Sequence, residues 1–309
     1  MIISRLTGGL GNQLFQYAFA RYLQEVYKET IYFDLSRFSD KSYYRGYCLN
    51  YFILNNNVKI PPAFFQFISR ITCFLILHTS KKIYGFALSG MKGYTALIKR
   101  FGIYYVKDAY NYNDFVYSKR KIKTIRGYFQ NPKYFEGIKN ILIDELQIKN
   151  RKNIVSSVIN AIDDMPNHSV CIHIRRGDYL SQKYRDRFDV CNETYYRKGI
   201  DYILSFYPEA FFYVFSNSRD DLNWIKENYF QDKTLEGKLR YVDFSRTEIE
   251  DFYLMSLCKH FIISNSSFSW WAAYLYSREE SKVVAPSPWL HSDEKWEEIY
   301  CKEWHIIKV

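Results

Sequence analysis

The chain has 309 residues, 48% hydrophobic and 25% charged, with only 13 Gly and 7 Pro. That composition excludes a disordered, collagen-like or small disulfide-stapled protein and supplies core enough for two domains. Aromatic residues make up 19% and the net charge is +10, which favours anionic partners such as phosphates, nucleotides, nucleic acid or an acidic membrane surface without choosing among them.

The opening MIISRLTGGLGNQ has no basic segment followed by an apolar one, so neither a signal peptide nor an anchor is expected there. It reads instead as a strand, Ile2 to Leu6, a glycine turn, Thr7 to Gly11, and a helix, Asn12 to Tyr27, with a second strand at Thr30 to Phe33. Helices are predicted over Ala63 to Leu77 and Ala96 to Phe101, and strands over Ile103 to Val106 and Thr124 to Tyr128. The apolar stretch Ile60 to Leu77 is interrupted by Gln66 and Arg70 and is too short to span a bilayer. A core or domain-interface helix is favoured there over lateral contact with a membrane. The six cysteines (Cys48, Cys73, Cys171, Cys191, Cys258, Cys301) form no C-x-x-C pair, so a reducing compartment and no zinc site are expected.

The sequence turns polar between Ile148 and Met165, where a domain boundary is placed. Beyond it, short apolar runs alternate with amphipathic stretches. Strands are predicted at Val170 to Ile174, Phe211 to Phe215, Leu239 to Val242, Phe261 to Ile263 and Val283 to Ala285; helices near Thr194 to Ser205, Asp220 to Asn228, Glu248 to Lys259 and Ser267 to Tyr276. Continuous apolarity suits parallel strands covered on both faces, and in such sheets ligands bind beyond the carboxyl ends of the strands.

Two segments at such strand ends carry chemistry. In His173-Ile174-Arg175-Arg176-Gly177-Asp178-Tyr179 the planar arginine fork suits bidentate phosphate binding, and a salt bridge to Asp178 is an equally weighted structural alternative. In Ser264-Asn265-Ser266-Ser267-Phe268-Ser269-Trp270-Trp271, small polar residues open a helix, where they act as an ordinary cap or as an anion site. Together the two suggest a phosphorylated ligand held without metal, because the chain contains no D-x-D carboxylate pair. Glu248 and Glu250 read as plain helix-start acids, Asp251 less so. Gly8-Gly9-Leu10-Gly11-Asn12-Gln13 is not a P-loop; it is either a simple tight turn or a place where backbone approaches a ligand, with Asn12 and Gln13 as donors.

GGLGNQLFQYAFARYL, HIRRGDY, LMSLCKHFIISNSSFSWWAAYL and Val284-Ala285-Pro286-Ser287-Pro288-Trp289 together resemble the inverting alpha-1,2-fucosyltransferases of bacterial type, glycosyltransferase family 11. The resemblance covers most of the chain and is weakest from Leu35 to Arg100. It implies an α/β, GT-B-like architecture of two Rossmann-like domains facing a central cleft. Residues 1–155 would form the acceptor side and 156–309 the GDP-sugar domain, with the last helix packing back on the first. It implies GDP-fucose as donor, no cofactor and no divalent metal. Arg175 is then placed on the diphosphate, Arg176 in support of the motif or the guanine site, Asp178 holding the loop, and Asn265, Ser266 and Ser267 at the phosphates. Asp251 would orient the nucleotide, and Gly9, Asn12 and Gln13 would lie near the reacting fucose. Where many members carry an acid, this chain has Ser216-Asn217-Ser218, and Asn217 is assigned to guanine or ribose. Asp178 and His173 are the nearest candidates for a base.

The acceptor implied is a terminal β-galactoside, which in lipid-linked surface polysaccharide such as O-antigen would put the protein in the cytoplasm, peripheral at the inner membrane face. Another GDP-6-deoxy sugar on the same fold is the alternative donor. A nucleic-acid partner is disfavoured, because basic residues are scattered and no RNP-like or zinc-finger signature occurs.

Overall fold

A computed structural model of the chain describes residues 1–43, 45–55, 58–59, 62, 64, 67, 71, 74, 102–106, 109–112, 119–149, 167–245, 247–292 and 296–309. It divides into two compact units, Met1–Leu146 and Gln147–Val309; the expected division at 155/156 lies outside the described residues, as does the helix over 96–101. The helix over 63–77 is described at 64, 67, 71 and 74, all helical.

In the first unit, the β-branched and aromatic residues Ile2, Ile3, Ile31 and Phe33 are buried in short strands that pair in parallel. The described strands are β1 (Ile2–Arg5), β2 (Ile31–Asp34), β3 (Val58–Lys59), β4 (Ile103–Tyr105) and β5 (Lys123–Arg126), in the order β3-β2-β1-β5-β4, every pair parallel. Helix α1 (Leu10–Tyr27) connects β1 to β2, and α2 (Lys139–Glu145) ends the unit. Phe19 of α1 packs 4.5 Å from Phe129 and 4.9 Å from Tyr134 between ring centroids, joining the helix to the segment after β5. The strand expected to run to Tyr128 stops at Arg126, because Gly127 (φ 154°) and Phe129 (φ 53°) turn the chain out of the sheet.

The second unit holds β6 (Ser169–His173), β7 (Phe211–Phe215), β8 (Leu239–Tyr241), β9 (His260–Ile262), β10 (Val283–Ser287) and β11 (His305–Lys308), in the order β11-β10-β9-β6-β7-β8 and again all parallel. Its helices include α3 (Glu193–Leu204), α4 (Arg219–Asn228), α5 (Glu248–Leu257) and α6 (Ser267–Tyr276). The core comprises Val170, Ile172, Phe212, Val214 and Ile262 from the strands and Ile200 and Ile203 from α3. Gly199 lets α3 lie close, since a Cβ there would stand 2.9 Å from Ile262 Cγ2. Trp270 on α6 is fully buried, stacked on Tyr274 and donating from Nε1 to the Ile299 carbonyl at 2.8 Å. The last element is strand β11. No helix among the described residues is long and apolar enough to cross a membrane.

Candidate active site

Parallel pairing brings the segments that follow β6, β7 and β9 to one end of the second sheet. After His173 the chain makes one more ladder bond, Ile174 N–H to the Phe215 carbonyl at 2.9 Å, and then releases the two arginines. Arg175 Nη2 donates to Asp178 Oδ1 at 2.6 Å, its guanidinium carbon lies 5.2 Å from the Tyr179 ring centroid, and its Nε has no hydrogen-bond partner among the described residues. The Arg176 guanidinium carbon sits 3.4 Å from the Trp224 ring centroid, with Nε 3.4 Å from Asp221 Oδ1. The Arg176 N–H donates to Asn217 Oδ1 at 3.0 Å. Gly177 has φ 45°, and a Cβ there would meet the Asn217 amide at 3.0 Å, so the loop needs glycine at that point.

His173 is buried, and its Nδ1 lies 2.9 Å from Ser269 Oγ and 3.0 Å from Ser264 Oγ. Burial, with Arg175 nearby, pushes its pKa down to about 3, so the ring is neutral. Such a weak acceptor is poorly suited to take a proton from a sugar hydroxyl, and the imidazole acts as a buried tie between β6 and the start of α6. Asn265 is also committed inside the fold. Its Nδ2 donates to the carbonyls of Phe188 at 2.9 Å and Trp289 at 3.0 Å, and Cys191 Sγ approaches its Oδ1 at 3.7 Å. Ser266 caps α6, accepting from the Phe268 N–H at 3.4 Å, and Ser267 occupies the first, half-buried position of that helix. The helix N-terminus thus sits at the end of β9 with its dipole positive toward the strand ends.

On α5, Glu250 completes a capping box with Thr247, as a helix-start acid should. Asp251 is different. Burial pushes its pKa up to about 7; Ser245 Oγ, donating at 2.5 Å, opposes that rise, and Glu250 and Glu248 add to it. Among the described residues, no three His, Cys, Asp or Glu side chains gather as a metal site.

In the first unit the glycine turn is held from several sides. Gly8 has φ 88°, and a Cβ there would fall 2.5 Å from Asn12 Nδ2. Its N–H donates to the Tyr43 hydroxyl at 2.5 Å, and Gly9 faces Arg45. Gln13 is wholly buried; Nε2 donates to the carbonyls of Gly8 (2.9 Å) and Gly46 (2.8 Å), and Oε1 accepts from the Cys48 N–H at 2.9 Å. Gln13 therefore shapes the turn instead of presenting a donor to a ligand. Asn12 Oδ1 accepts from Gln130 Nε2 at 2.6 Å, which ties the turn after β1 to the segment after β5. Sequence reading missed Gln130, Tyr43, Asp221 and Trp224. Trp224 alone carries a signal, as a large aromatic beside Leu222 and Ile225 on an otherwise polar helix, Arg219–Asn228.

Two parallel α/β sheets, one bearing an arginine loop and a helix N-terminus at its strand ends, define a Rossmann-like, GT-B-like protein with chemistry suited to a phosphorylated ligand. The solved structure of an Arabidopsis thaliana FUT1 mutant in complex with GDP has this fold: TM-score 0.51 at 12% identity, covering 93% of this chain and 71% of that one. The profile of Glycosyl transferase family 11 matches residues 1–308, and the chain belongs to that family. An Escherichia coli alpha-1,2-colitosyltransferase is 29% identical over 95% of this chain and 94% of its own length. The E. coli O-antigen biosynthesis glycosyltransferase WbnK is 30% identical over 94% and 96%. Human galactoside alpha-(1,2)-fucosyltransferase 1 is 33% identical over 36% of this chain and 30% of its own.

Proposed function

We propose that this glycosyltransferase moves L-fucose from GDP-β-L-fucose to the 2-hydroxyl of a terminal β-galactoside, with inversion and without a divalent metal. The observation that carries the reading is the meeting of Arg175 and the Ser266–Ser267 helix start at one end of the second sheet. Arg175 holds Asp178 through Nη2 alone, and a diphosphate would offer the guanidinium a second, charged partner. Arg175 and the helix N–H groups then stabilise the charge that develops on GDP as an oxocarbenium-like fucosyl group forms. On this reading Asp251, once ionised, accepts from guanine N–H groups, and Asn217, which holds the Arg176 N–H, contacts guanine or ribose. Asp178 remains the candidate base, held by Arg175. On this reading Gly9 and Asn12 lie near the reacting sugar.

The relatives support the linkage, since two kinds carry alpha-1,2 in their names, and WbnK, named for O-antigen biosynthesis, supports an O-antigen setting. On the proposed reading the acceptor is lipid-linked and met at the cytoplasmic membrane face. The colitosyltransferase favours a second reading in which another GDP-deoxy sugar is the donor.

The test is GDP release from GDP-fucose with and without lactose, in EDTA, for the wild type and Arg175→Ala. Acceptor-dependent release that survives EDTA and falls by about 100-fold or more in the variant is expected, the size seen when one charge-stabilising donor is lost. Turnover with a different GDP-sugar alone would move the assignment to the second reading, and loss of activity in EDTA would overturn metal independence.

A further inference from the structure

The two adjacent arginines are held by different parts of the unit. Arg175 is held within its own loop by Asp178 and Tyr179, whereas Arg176 is held by α4. Asp221 and Trp224 stand three residues apart on that helix, the spacing that puts two side chains on one face. The Trp224 indole lies under the Arg176 guanidinium at 3.4 Å, and Asp221 Oδ1 meets its edge at 3.4 Å. Asp221 is itself fixed, because its other oxygen accepts from Ser218 Oγ at 2.9 Å and its N–H donates to the same hydroxyl at 3.1 Å. Tyr229 braces the indole edge-on at 5.4 Å. The side chain of Arg176 is 15% exposed. For it to reach a ligand, the cation–π contact and the ion pair would both have to break.

We propose that Arg176 is a brace rather than a donor contact, and that Trp224 is the positioning residue that holds it, fixing the loop from which Arg175 alone meets the diphosphate. This rests on the reading of that loop as the diphosphate site. Three points of the β7–α4 segment grip the loop: Asn217 on the Arg176 N–H, Asp221 on the guanidinium edge, and Trp224 on its face. A planar cation is required, because the ammonium of lysine cannot lie flat on the indole.

The test measures the GDP dissociation constant, the KM for GDP-fucose, kcat and the melting temperature for the wild type and for Trp224→Phe, Trp224→Ala, Arg176→Lys, Arg176→Ala and the Arg176→Ala/Trp224→Ala pair. Trp224→Ala and Arg176→Lys should each weaken GDP binding and raise the KM by about tenfold, as expected when a charge clamp is displaced, with a smaller change in kcat. Trp224→Phe should recover most of the loss. The double variant should be no worse than Arg176→Ala, because both substitutions break one contact. Multiplying effects in the double variant would make Trp224 a ligand contact in its own right and overturn the brace. So would Arg176→Lys indistinguishable from the wild type, or a Trp224→Ala change confined to melting temperature. Wild-type protein that binds no GDP would overturn the underlying donor site and the brace with it, a result visible before any variant is made.

Discussion

Asp251 shows how a single side chain links pH to both stability and the site. Its folded pKa of about 7 lies above the ordinary 3.8. The native state therefore holds the proton more tightly than the unfolded chain between those values, so the stabilisation is full below about pH 4, declines as pH rises, and is gone above about 7. Asp251→Asn should raise the melting temperature at pH 8 and leave it nearly unchanged at pH 4; equal shifts at both pH values would count against this. If guanine N–H groups donate to the carboxylate, binding selects the ionised form. GDP affinity should then fall by about tenfold per unit as pH drops below 7, in the wild type but not in Asp251→Asn. Calorimetry on both proteins separates this from titration of GDP itself. His173 pulls the other way, since its depressed pKa gives stability that is present above the ordinary 6.5 and lost as pH falls toward 3.

At the scale of elements, α5 places Asp251 through its first turn, and that turn depends on the Thr247–Glu250 capping box. Thr247→Ala should destabilise the protein by about 1 kcal/mol, the usual value of such a cap, measurable by urea unfolding. Donor binding should weaken with it as the turn frays. Both helix-start segments and every strand of the second sheet except β11 were legible in the sequence, because continuous apolar runs next to small polar residues report burial and capping directly. β11 was not, since His305–Lys308 is short and mostly exposed. Gln13 and Asn265 looked like ligand donors for the same reason that they are not: buried amides must find partners, and sequence alone does not say whether those are ligand or backbone. The Arg176–Trp224 stack was invisible because it joins segments distant in the chain.

For the whole molecule, a net charge of +10 means that charge alone can bring the protein to an anionic surface. Sedimentation with vesicles containing anionic lipid should be clear at low salt and lost at about 1 M, where the screening length is about 3 Å. Absence of binding at low salt would remove the membrane from the proposed setting. The family model runs the length of the chain, while the sugar named for its relatives differs, colitose in one and fucose in another.

β11 has a practical consequence. It lies at the margin of the sheet and covers β10, four of whose five residues are buried, along Val284 to Ser287. Removing the last five residues would bare a row of unpaired amide and carbonyl groups on an apolar strand, the template on which chains add to one another. A protein shortened there should accumulate as aggregate even with every residue of the proposed donor site in place, as gel filtration would show.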